Sequence, residues 1–224
     1  MRDQQVLHDK KWIKFLKRTW LFKFAPFVEF ALAAGSMAMG NVRPESDFDV
    51  IIGARSGRIF TARFFAVIAF GAFGWRRKKI DHREAAADKI CLNHFVTPAS
   101  YRLSPPHNAY WRKLYQNLVP LFGSDKKVND FFAANSDWLG KEIAYVDDLR
   151  HYHRRKSWPV RFVEWTLSGW AGDFLEKRLR KIQISRIENG IQKELGHNPR
   201  IIYTDQELEF HPDTARIELL ERSM

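Results

Sequence analysis

The chain has 224 residues, 45% hydrophobic and 14% aromatic, which argues against a disordered chain and suits one domain, or one domain with a smaller appendage. Its 37 Lys and Arg against 26 Asp and Glu leave a formal net charge of +11, a balance that favours nucleotides, nucleic acid or acidic lipid as partners. A lone cysteine, Cys91, excludes an intramolecular disulfide and suits a reducing cytoplasm.

Residues 3–23 carry Val6, Leu7, Trp12, Ile13, Phe15, Leu16, Trp20 and Leu21 at helical spacing, with lysines between them. They predict an amphipathic basic helix that Pro26 ends. The spacing leaves open whether Trp12 and Trp20 dock on this chain or on a partner protein. The polar start MRDQQVLHDKKW is unlike a signal peptide. Residues 27–34 read as a strand running into Gly35, and Ser36–Met39 as a short helix. Residues 48–52 read as a second strand, 58–73 as a buried helix and 89–96 as a third strand. The apolar run 64–75 is too short to span a membrane, although its basic flanks also suit a membrane interface. Cys91, inside ICLNHFV, reads as a buried structural thiol.

The second half reads as mostly helical: 108–121, 126–135, a polar linker at 145–158, and a long helix over 159–195 broken at Ser168-Gly169 or Gly172. A short strand at 201–204 and a last helix at 213–222 follow. The expected class is α+β with an α/β-like core: an N-terminal basic helix over 1–25, a core over 26–105 and a helical region over 106–224. Trp158, Trp165 and Trp170 read as a helix packing face. His82, His107, His151 and His153 lack the spacing of a zinc site. The basic runs 76–79 and 177–181 read as solvated faces, able to hold a triphosphate only where they line a cleft.

Chemistry concentrates in AAGSMAMGNVRPESDFDVII, residues 33–52. In a strand, residues i and i+2 share a face, so Asp47 and Asp49 converge while Phe48 and Val50 enter the core. Two adjacent carboxylates repel, and a divalent cation such as Mg²⁺ offsets that cost through hard oxygen ligands. Gly35 allows close backbone approach to a phosphate, and Ser36 supplies a hydroxyl donor. The ten residues from Met37 to Ser46 leave room for a return loop that brings both features to one end of a sheet.

Ala34-Gly35-Ser36, then ten residues, then Asp47-Phe48-Asp49-Val50 resembles the signature of the DNA polymerase β-like nucleotidyltransferase superfamily. The segment is most similar to the minimal nucleotidyltransferases, with Arg43 and Ser46 in the loop. The likeness covers residues 27–97. VPLFGSDKKVNDFFAANSDWL and ELEFHPDTARIELLE resemble the later half of bacterial nucleotidyltransferase-domain proteins. The resemblance implies a small mixed sheet flanked by helices. It also implies transfer of a nucleoside monophosphate from an NTP to an acceptor hydroxyl on a small molecule, protein or RNA, using two Mg²⁺ ions. Asp47 and Asp49 would be catalytic and metal-binding; Gly35, Ser36, Arg43 and Ser46 would hold the nucleotide. The family's third carboxylate falls at Asn93 or, on the opposite face, at Asp88. Asparagine can ligate a metal but cannot act as a base. The alternatives are therefore a catalytically impaired nucleotide-binding or antitoxin-like interaction module, or a basic nucleic-acid binder.

Overall fold

In the computed structural model, which describes residues 2–77, 86–105, 107–140, 155–191 and 200–211, the alternation in FDVIIGA forms β2, Phe48–Ala54. Phe48, Val50, Ile52 and Ala54 enter one core and Ile51 the other, so Asp49 takes the face of Ile51. The expected helix at 213–222 and the histidines His82, His151 and His153 lie outside the described residues.

The fold is α+β. Strands β1 (Val28–Ala33), β2, β3 (Ile90–Val96), β4 (Val119–Gly123), β5 (Arg200–Tyr203) and β6 (Glu207–His211) make one mixed sheet in the order β4-β1-β2-β3-β6-β5. Only β2 and β3 run parallel, joined through α3 (Ile59–Ala72); the other pairs are antiparallel. Three strands thus come from beyond residue 105, and the sheet crosses the boundary expected there.

One face is covered by α1 (Arg2–Thr19), α3 and α8 (Trp170–Ile191). The short α2 (Gly35–Ala38) follows β1 directly. The other face carries α4 (Ala109–Gln116), α5 (Asp125–Ala133) and α6 (Ser136–Leu139). The Asn108 and Ser124 side chains accept N–H bonds that start α4 and α5.

The helix expected over 108–121 stops at Gln116, and Val119–Gly123 is an edge strand. Pro120 cannot continue a helix and is tolerated where one edge lacks a ladder partner. The break in the long helix falls at residues 167–169, between α7 (Trp158–Thr166) and α8.

The tryptophans expected to pack do not. Val160 and Glu164 are the buried positions of α7, while Trp158, Trp165 and Trp170 face solvent. Glu164 docks the helix by accepting the Phe27 N–H at 2.5 Å and pairing with Arg55 and Lys156.

The N-terminal helix docks on its own chain. Trp12 stacks on Phe15, and Phe15 on Phe48 with centroids 4.5 Å apart. Lys11, only 4% exposed, donates to Pro44 O at 2.9 Å, Ser46 O at 2.8 Å and Asp88 Oδ1 at 2.9 Å. Replacing it leaves Asp88 and two carbonyls short of a donor. Lys11→Met is expected to cost about 3–5 kcal/mol in urea unfolding, far more than Lys10→Met on the exposed face.

Candidate active site

The start of β2 and the end of β1 meet at one point. Gly35 has φ +63°, and a Cβ there would lie 2.2 Å from Asp49 Oδ2. Only glycine fits both the left-handed backbone and the contact. The turn is pinned by the Ala34 N–H donating to Asp49 O at 3.0 Å. Gly35 and Ser36 are half-buried beside the carboxylate.

The Asp47 and Asp49 carboxylates converge, as strand periodicity requires. One oxygen from each and the Cys91 Sγ lie within 4.8 Å of one another. Asp49 pairs in register with Cys91, but Ile51 pairs with His94, so one extra β3 residue is accommodated between those pairs. The bulge follows Cys91 and leaves Asn93 without a register partner on β2. The β3 side chain in register with Asp49 is Cys91 rather than Asn93, which falls in the slip. The Cys91 thiol, buried as expected, thus also borders this cluster. His94, in register with Ile51, is buried, with Nε2 3.0 Å from Glu207 Oε1.

Asp88, the other candidate for the third position, is engaged by the N-terminal helix. With φ +63°, it turns its carboxylate to Lys11 and Lys14, and Arg18 donates to its carbonyl. Burial would raise its carboxyl, but hydrogen bonds and charge from the two lysines hold it below the usual range.

Arg77 enters the site unannounced by any motif. Its N–H donates to Ile90 O at 2.9 Å, laying residues 75–77 beside the start of β3. The guanidinium reaches across to Asp47 Oδ2 at 2.7 Å. Burial would weaken its charge, but the charge and hydrogen bond of Asp47 and, less strongly, the charge of Asp49 hold it firmly cationic. The only signal in the sequence was the basic run 76–79.

The two loop residues differ in role. The Ser46 hydroxyl accepts the Arg43 N–H at 2.9 Å and closes the turn ahead of Asp47. The Arg43 side chain is exposed.

Burial and the neighbouring Asp47 push the Asp49 carboxyl up to about 7, against the opposing pull of Arg77 and a thiol hydrogen bond from Cys91. Burial and the two carboxylates push the Cys91 thiol well above its ordinary value, so it stays protonated. The arrangement offers two hard oxygen donors, a neutral soft one and a fixed cation.

The chain matches no protein-family model, no curated protein and no solved structure.

A raised carboxyl pKa means the native state binds the proton more tightly than the unfolded chain does. The stability contribution of Asp49 is therefore greatest at acid pH and falls as pH rises from about 4 to about 7. In chelator, Asp49→Asn is expected to gain up to about 4 kcal/mol over the parent at pH 8 and almost nothing at pH 4. Urea midpoints across that range read the difference.

Proposed function

We propose that the chain is a Mg²⁺-dependent nucleotidyltransferase that moves a nucleoside monophosphate from an NTP to an acceptor hydroxyl. The observation that carries the reading is the convergence of Asp47 and Asp49 against the glycine of a strand-to-helix turn. Two carboxylates at the start of a strand suit Mg²⁺, which takes one or two such ligands and completes its shell with phosphate oxygens and water. The donors gathered here suffice for one ion; a second would draw mainly on triphosphate oxygens. When bound, the ion supplies charge compensation for the triphosphate.

The chain's own groups divide the remaining work. The Gly35-Ser36 turn brings backbone and hydroxyl donors to the phosphates. Arg77, fixed beside Asp47, adds positive charge at the reacting end, and the exposed Arg43 can reach outward to the nucleotide. The acceptor oxygen forms a bond to the α-phosphorus, pyrophosphate leaves, and the hydroxyl proton is lost to water or a carboxylate. A reducing cytoplasm suits the Cys91 thiol. Among the described residues no helix is long and apolar enough to cross a membrane.

A second reading, a nucleotide-binding module without transfer, is favoured by one observation. Cys91 holds the position facing Asp49, and Arg77 already neutralises Asp47. Labelled NTPs with Mg²⁺ or Mn²⁺ and a cell extract distinguish the two. Transfer is expected from the parent, with Asp47→Ala reducing it by roughly a hundredfold or more. Label on no acceptor, together with Asp47-dependent NTP binding, decides for the module. If the missing acid is the cause, Cys91→Asp is expected to bring transfer up from zero.

Metal binding must displace the Asp49 proton. With the carboxyl near 7, divalent affinity is expected to be about tenfold weaker at pH 6 than at pH 8. Calorimetric titration with Mn²⁺ measures it.

A further inference from the structure

The helices α7 and α8 present their aromatic side chains outward. Trp158, Trp165 and Trp170 are 79%, 73% and 84% exposed. On α7, Trp158, Phe162 and Trp165 follow the spacing i, i+4, i+7, which places them on one stripe. Arg161 lies on the same side. On α8, Trp170 and Phe174 are continued by Lys177 and Lys181 at the same spacing, all exposed. Arg178 lies over the Phe174 ring at 5.0 Å.

The corner that sets the two helices is rigid. Buried Arg58 donates to the carbonyls of Leu167, Ser168 and Gly169 and pairs with Asp173 at 2.7 Å. Gly172 is forced by the same corner, since a Cβ there would lie 1.8 Å from Leu167 O. The outward aromatics are therefore held in place rather than left by a loose helix.

We propose that this aromatic and basic surface of α7 and α8 seats the protein on an anionic phospholipid bilayer, without crossing it. Indoles prefer the headgroup layer, and lysines on the same stripe gain from acidic headgroups. Charge complementarity decides among occupants. A second copy would bring like-charged stripes together on a chain of net charge +11. A nucleic-acid acceptor would need to lie at the reaction centre, yet Asp47 and Asp49 stand at the start of β2. Arg55 and Arg58, which hold α7 and α8, follow its end, roughly 20 Å away along a seven-residue strand.

The test uses the full chain and vesicles of phosphatidylcholine, with or without about 30 mol% phosphatidylglycerol, near physiological salt. The chain is expected to float with the anionic vesicles only, with tryptophan emission shifting to the blue. Trp165→Ser with Trp170→Ser, and separately Lys177→Glu with Lys181→Glu, are each expected to weaken binding by about tenfold or more. Both pairs are exposed, so urea midpoints are expected to stay at the parent value. No partition into anionic vesicles overturns the proposal. So does equal partition of the tryptophan variant, which reduces binding to net charge alone. Tighter binding to single-stranded RNA than to anionic vesicles at the same salt, or a dimer lost in the tryptophan variant, also overturns it.

Discussion

Everything at the candidate site hangs on one buried ammonium. Lys11 has three donors, and it spends them on Pro44 O, Ser46 O and Asp88. Those acceptors belong to the loop before Asp47 and the turn before β3. The Asp88 N–H donates to Ser46 O at 3.1 Å, and the Phe48 N–H to Lys89 O at 2.8 Å. The relative height of the two parallel strands is thereby set before their ladder begins. Cys91 then falls opposite Asp49, and Arg77 falls within reach of Asp47.

The site holds electrostatic tension. Two carboxylates are half-buried side by side, and one guanidinium balances only part of their charge. The remainder appears as the raised Asp49 carboxyl. Gly35 tightens the constraint, because the backbone fills space that a water or side chain would otherwise take beside Asp49. A fold selected for stability alone would relieve this with a second cation or an apolar pair. Retaining it fits a site that receives charge from outside the chain, either a divalent ion or the counter-charge of a ligand.

What the sequence disclosed depended on how local the signal was. The β2 alternation is a two-residue period, so the cores of Phe48 and Val50 and the facing of Asp47 and Asp49 were legible. The glycine that opens α2 was legible too, although its closeness to Asp49 was not. The β3 bulge was invisible, since one unpaired residue in KICLNHFV leaves no mark in composition, and it sets His94 rather than Asn93 opposite Ile51. Arg77 was invisible for a similar reason: its place is set by a backbone bond to Ile90, thirteen residues on. Strand β4 was read as helix because Asn108 does start one and Leu118 to Phe122 extend its apolar content. The α7 tryptophans misled most, because apolar helical spacing says that a helix has a face and not which way that face points.

That orientation has an energetic consequence. In α7 the usual amphipathic logic is reversed, with Glu164 buried and the aromatics outside. Burying a carboxylate carries a desolvation penalty of several kcal/mol unless it is paired, and here it takes the Phe27 N–H, Arg55 and Lys156 to satisfy it. Each exposed large side chain forgoes about 1.5–3 kcal/mol of burial. Rotating α7 by half a turn would recover that area, but it would strand the Phe27 N–H and Arg55. Glu176 adds a similar tie on α8, accepting the Phe60 and Thr61 N–H groups at 2.9 and 2.8 Å. Polar bonds to the sheet and to α3 therefore aim both helices, and the aromatic surface follows from that aim. Set at the far end of β2 from Asp47 and Asp49, a surface of this kind can be occupied while the acid pair stays uncovered.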